Sequence, residues 1–222
     1  MESRLVTFGC SITFGQALPD IWDYKKMQTL GGPSKYAWPQ ILANKLDVEC
    51  VNLGIPGASN KEIWWNALNF KFLKNDIIIF LWSYINRFCL ITKDKNVIIR
   101  ELPADETEGK GDDAKNKDDI YESKYAYDRV IDFYLRVNHI YEYLKKNKIK
   151  NYHIIFNDRL YSPNGKPIGL FIDWNYVNFL KTKTPLWVVR REYPRGEDGQ
   201  HPGKKAHAVM ADLIYYELEN VL

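Results

Sequence analysis

Six consecutive apolar residues, Ile77-Ile78-Ile79-Phe80-Leu81-Trp82, constrain this chain most. The run is far too short to cross a bilayer and suits a buried strand, which the sequence places at residues 76 to 82. Other segments follow the same logic. Residues 4 to 8 read as a first strand closed by Gly9, and residues 48 to 53 as a second, ended by the turn Gly54-Ile55-Pro56-Gly57. Residues 152 to 157 read as a fourth strand, and Leu186 to Val189 as a short extra one.

Helical patterns separate these strands. Ala37 to Leu46 has helical apolar spacing with Pro39 in its first turn, where proline is tolerated. Ser59 or Asn60 caps a helix through about Leu73, and Glu62, three residues after Ser59, fits a capping box. From about Tyr121, the positions Tyr127, Val130, Ile131, Tyr134, Val137, Ile140, Tyr141 and Leu144 predict a long amphipathic helix ending in Lys145, Lys146 and Lys148. Pro202 opens a terminal helix with Ala206, Val209, Met210, Leu213, Ile214 and Leu218 on its apolar face. Strands alternating with helices predict an α/β fold, a parallel sheet covered on both faces, whose active site lies at the carboxyl ends of the strands.

Length sets one domain as the default for 222 residues. Between Glu101 and Asp119 eight acidic and three basic residues with hardly any apolar ones predict a solvated loop or insertion within it. A formal net charge of +3, without a basic stripe, argues against a nucleic-acid partner, and no apolar segment is long enough for a membrane one. Three cysteines, Cys10, Cys50 and Cys89, leave one unpaired and fit a reducing compartment. No charged-then-apolar leader precedes the first strand, so no secretory signal is expected and a cytoplasmic location fits. No metal-ligand spacing or phosphate loop is present in the sequence, and no cofactor is expected.

Chemistry concentrates at the two ends. Val6-Thr7-Phe8-Gly9-Cys10-Ser11 puts a serine directly after the first strand, and Asp198-Gly199-Gln200-His201-Pro202 puts an acid three residues before a histidine. Ser11 as nucleophile, His201 as base and Asp198 as the group fixing the imidazole tautomer would form a hydrolytic triad. Ser11 also has a plain reading as a helix N-cap, and His201 as a surface residue or cap. The other histidines, His139, His153 and His207, have no matching acid and read as structural.

Together with Val51-Asn52-Leu53-Gly54-Ile55-Pro56-Gly57-Ala58-Ser59-Asn60 and the segment from Asp76 to Asn86, these blocks resemble, in order and over most of the chain, the SGNH/GDSL hydrolase family of serine esterases and lipases. That resemblance implies a three-layer flavodoxin-like fold and a cofactor-free esterase acting through an acyl-enzyme. It implies an oxyanion hole from the Ser11 backbone N–H, the Gly57 N–H and an asparagine after the third strand. The family usually carries Gly-x-Asn-Asp there, whereas this chain reads Trp82-Ser83-Tyr84-Ile85-Asn86-Arg87, so Asn86 is the candidate and Arg87 or Ser83 its rivals. Cys10 stands where the family's motif has aspartate and is expected to pack inward.

Aromatic residues Trp64, Trp65, Trp82, Tyr84, Trp174 and Trp187 cluster near the predicted carboxyl-end loops, where flat rings suit sugars, although core or rim roles account for most such residues. Trp82, Tyr84 and Arg87 are the substrate-binding candidates. The expected substrate is a short acyl ester, foremost an acetyl ester on a carbohydrate. The blocks also look like SGNH-type proteins of bacteriophage and bacterial genomes, which implies a virion-associated or released enzyme if the gene is a phage one. The alternatives are a non-catalytic binding or virion structural module on the same fold, and an acyltransferase. The sequence does not specify the oligomeric state.

Overall fold

The computed structural model describes residues 3–85, 87–91, 97–100, 126–156, 179–180 and 182–220. In chain order the elements are β1 (Arg4–Gly9), α1 (Ser11–Phe14), β2 (Trp22–Asp23), β3 (Gln28–Thr29), α2 (Trp38–Leu46), β4 (Glu49–Gly54), α3 (Asn60–Leu68) and β5 (Ile77–Trp82). They continue with β6 (Phe88–Ile91), β7 (Val97–Arg100), α4 (Ala126–Lys146), β8 (Lys150–Ile155), α5 (Leu186–Glu192) and α6 (Lys204–Glu219).

Four strands form one parallel sheet in the order β4-β1-β5-β8, with Phe8 level with Leu53 on one side and Phe80 on the other. The chain leaves β1 for one neighbour and crosses back for the next, so the order reverses around β1. That reversal opens a crevice at the carboxyl ends of β1 and β5, the place where open α/β sheets bind ligands. An isolated parallel bridge joins His153 of β8 to Phe179.

The predicted apolar run is the centre of this sheet. Ile78, Ile79, Phe80, Leu81 and Trp82 are buried, because helices cover both faces: α2 packs with α6, and α3 with α4. Ring stacking binds the strands laterally, with Phe8 5.1 Å from Phe80, and Phe80 5.2 Å from Trp82 and 5.0 Å from His153. At the other end of β5, Arg4 holds Asp76 in a two-pronged ion pair at 2.9 and 2.8 Å, while Asp76 also accepts the Leu73 N–H.

Several sequence expectations need correction. Leu186 to Val189 is not a strand but the start of α5, because Leu186 and Val189 are buried one helical turn apart behind Pro185 at the N-cap. Helix α3 stops at Leu68 rather than near Leu73: Asn69 caps it, and the next residues turn inward so that Phe70 and Phe72 pack on Phe8. The terminal helix begins at Lys204 with Gly203 as its cap, since Pro202 is held in a bridge with Arg195. The fourth strand runs from Lys150 to Ile155, a shift of two residues. The acidic segment from Glu101 to Asp119, the start of the long helix before Ala126, Asn157 and Trp174 lie outside the described residues. Among the described residues no helix is long and apolar enough to cross a membrane.

Candidate active site

Strand β1 ends at Gly9, and the chain turns at once into the single turn α1. Cys10 is the N-cap, extended at φ −97° and ψ −154°, and contributes no side-chain capping bond. Ser11 is therefore the first helical residue and not the cap, so the plain reading of this serine does not apply. Cys10 is 2% exposed and packs inward.

Close contacts hold this turn in place. Asn52 of β4 donates to the Thr13 carbonyl at 2.7 Å and accepts the Gly54 N–H at 2.9 Å. A Cβ on Gly54 would lie 2.4 Å from the Phe14 nitrogen, so only glycine permits the approach. Gly15, at φ +79°, closes α1 by donating to the Ser11 carbonyl at 2.9 Å. Ser11 is 3% exposed, and its hydroxyl has no hydrogen-bond partner among the described residues.

The second half of the candidate triad lies in the loop between α5 and α6. Asp198 accepts the backbone N–H groups of Gln200 and His201 through one oxygen, both at 2.9 Å. Its other oxygen meets His201 Nδ1 at 2.5 Å. Burial works to raise the Asp198 carboxyl, but the His201 and Gln200 N–H groups and the imidazole outweigh it, leaving the carboxyl below its ordinary range. An ionised Asp198 fixes the proton on Nδ1 and leaves Nε2 as the basic nitrogen.

Backbone contacts join this loop to the Ser11 turn. Glu197 donates its N–H to the Ala17 carbonyl at 2.8 Å, and Gly196 lies so close that a Cβ there would stand 2.7 Å from the same oxygen. Gly196 in turn donates to the His201 carbonyl at 2.8 Å. Ala17, at φ +64°, thus joins the Ser11 turn to the loop that carries His201.

Oxyanion candidates lie on the loops after β4 and β5. Gly57 sits at φ +77° and its N–H makes no hydrogen bond among the described residues. Ile55 N–H bonds the Gly9 carbonyl at 3.0 Å, so this loop begins against the end of β1. Asn86 lies outside the described residues. Its rival Arg87 donates to Ser83 Oγ at 3.0 Å and to the Ala58 carbonyl at 3.4 Å, bridging the two loops beside Gly57. Asn60 is not the cap of α3, a role taken by Ser59, whose hydroxyl accepts the Glu62 N–H at 3.3 Å. It exchanges two bonds with the Ser83 backbone instead, at 2.7 and 3.2 Å.

One substrate-binding candidate has no access to substrate. Trp82 is 0% exposed, stacked on Phe80 and His153, with its indole N–H on His153 Nδ1 at 3.1 Å. Tyr84 and Arg87, just beyond the strand, are half-buried at the crevice. Arg190 of α5 donates to the Tyr84 hydroxyl at 2.5 Å and to the Gln200 carbonyl at 3.3 Å.

No protein-family model and no curated protein matches this sequence. Solved structures do match in shape. A protein described as lipolytic and of the G-D-S-L family, from Desulfitobacterium hafniense DCB-2, superposes with a TM-score of 0.52 at 16% identity, over 96% of this chain and 98% of that one. An acetyl xylan esterase from Butyrivibrio proteoclasticus gives 0.54 at 14% identity over 98% of this chain, which spans 63% of the esterase. A family two carbohydrate esterase from Clostridium thermocellum gives 0.52 at 11% identity over 99% of this chain and 64% of that one. This chain has the SGNH hydrolase fold.

Within that SGNH fold, Ser11 follows the first strand of the sheet, Gly57 the second and Ser83 the third. Arg190 and Ala17 escaped the sequence reading because nothing local marks them; their partners lie in distant segments. Asn52 and Asn60 lie in the segment from 51 to 60 that resembles the family, but their contacts with α1 and Ser83 depend on tertiary packing.

Proposed function

We propose that this protein is a serine ester hydrolase of the SGNH type acting on short acyl esters of a carbohydrate. The observation that supports it most is the Asp198–His201 pair, bonded at 2.5 Å in a loop tied through Ala17 to the turn that carries Ser11. In this reading Ser11 Oγ attacks the ester carbonyl while its proton passes to His201 Nε2. The carbonyl becomes an oxyanion held by the Ser11 and Gly57 N–H groups. Expulsion of the sugar hydroxyl takes the proton from His201 and leaves an acyl-serine. Water, deprotonated by His201, then attacks the acyl-serine and releases the acid. The acetyl xylan and carbohydrate esterases that share the fold favour an acetyl ester as substrate.

Hydrolysis of an aryl acetate by the wild type and Ser11→Ala tests the proposal. The serine-to-alanine variant should lose at least about three powers of ten in kcat. Equal rates would refute it. A second reading, a non-catalytic carbohydrate-binding module, draws on the Ser11 hydroxyl, which has no hydrogen-bond partner among the described residues. Failure of an active-site phosphonate to label Ser11 in the wild type would favour that module. Serine–histidine bonds are often long before substrate arrives, so the esterase reading takes precedence.

A further inference from the structure

Beside the candidate triad stand arginines that no carboxylate neutralises among the described residues. Arg87 bridges Ser83 and Ala58 on the Gly57 side of the crevice, and its guanidinium lies 5.1 Å from the centre of the Tyr84 ring. Arg190 grips the hydroxyl of the same tyrosine and reaches the Gln200 carbonyl next to His201. A third, Arg195, donates to that carbonyl at 3.4 Å. Among the described residues every polar contact of these three is to a neutral oxygen, and no ion pair includes them.

Three acids on the loops around the triad are engaged elsewhere. Asp198 is committed to His201 and two backbone N–H groups, Asp20 to Ser34 and the Lys35 N–H, and Glu197 to Tyr24. Two half-buried guanidinium groups flanking one tyrosine repel each other, and no described residue supplies a counter-charge. Guanidinium is built to take planar oxyanions through paired N–H donors. Gly57 and His201, which border the two arginines, are the groups assigned to the reacting ester.

We infer that the substrate is an anionic carbohydrate ester, with a carboxylate or phosphate near the scissile acyl group that binds between Arg87 and Arg190. This rests on the esterase reading given above for the position of the acyl group, though not for the binding of the anion itself. Tyr84 fixes the spacing of the two cations, one on its ring face and the other on its hydroxyl.

Kinetics on defined substrates tests the inference. Acetylated polygalacturonate and acetylated, phosphorylated dextran should each, or at least one of them, exceed neutral acetylated dextran in kcat/KM by about tenfold or more at low salt. The ratio should fall toward one in Arg190→Gln and Arg87→Gln, and in the wild type at high salt, where exposed charge interactions are screened. Parity among the three substrates in the wild type at low salt would overturn the inference, as would a preference that survives both substitutions and salt. Binding separates this outcome from failure of the esterase reading. Calorimetry of Ser11→Ala with de-acetylated polygalacturonate and phosphorylated dextran, against plain dextran, should show tighter, salt-sensitive binding of the polyanion even if the wild type hydrolyses no ester. Binding no tighter than that of plain dextran would count against the anion site alone.

Discussion

Asp198 does two jobs with two oxygens, and a single substitution separates them. One oxygen accepts the backbone of Gln200 and His201, which shapes the loop; the other meets the imidazole, which sets its tautomer. Asp198→Asn keeps an oxygen for the backbone while offering the histidine an N–H in place of an acceptor. The loop should therefore survive while the histidine tautomer reverses, and kcat on an aryl acetate should fall by about 10⁴ with the folded circular dichroism spectrum retained. Activity within a few-fold of wild type would remove Asp198 from the proposed triad. At this scale the sequence was informative, since an acid three residues before a histidine offered the bond that forms, beside the plain reading of His201 as a surface residue or cap. Trp82 shows the limit: at the end of an apolar run its ring could face either layer, and only packing against Phe80 and His153 sends it inward.

Between elements, the position of the nucleophile depends on how closely β4 approaches α1. Gly54→Ala would place a Cβ 2.4 Å from the Phe14 nitrogen, a backbone atom that cannot swing aside. The variant should lose about 1 to 3 kcal/mol in urea unfolding and most of any esterase activity. Gly32→Ala, where an added Cβ meets nothing within 4 Å, serves as the neutral control. Equal unfolding midpoints for the two would show that the turn is not held by this contact. Capping gives a smaller effect: Ser59→Ala removes the acceptor for the Glu62 N–H and should cost about 1 kcal/mol by the same measurement. The strands and long helices were legible because each carries its own apolar period. Element α5 was not, since Leu186-Trp187-Val188-Val189 is as apolar as a strand, and its helical form follows from Pro185 and from burial of Leu186 with Val189. The ribbons β2–β3 and β6–β7 have too few residues to show a period.

Across the whole molecule, two buried histidines tie stability to pH. His153 accepts the Trp82 indole N–H on Nδ1, and its Nε2 meets Asn151 Oδ1 at 2.9 Å, so both ring nitrogens are used by the neutral form. His207 accepts the Trp38 backbone N–H on Nδ1 at 3.1 Å. A proton on Nδ1 would break either bond, and burial pushes both pKa values down to about 3. An unfolded histidine titrates near 6.5. The unfolded chain therefore takes up protons below about pH 6.5 while the folded chain refuses them. Each histidine thus removes about 1.4 kcal/mol of stability per pH unit as the pH falls from there toward the folded value. Glu62 acts in the opposite sense, because burial raises its carboxyl and acid then favours the folded state, but only in the carboxylate range. Urea midpoints should therefore hold steady above neutrality and drop between pH 6.5 and 5. His207→Asn, whose side-chain oxygen can still accept the Trp38 N–H, should roughly halve that slope. Midpoints unchanged between pH 7.5 and 5 in the wild type would mean that neither imidazole stays neutral in the fold. A drop of equal slope in the variant would trace the acid sensitivity to other groups. His153, neutral within its stack on Phe80 and Trp82, would be the first of those groups to replace.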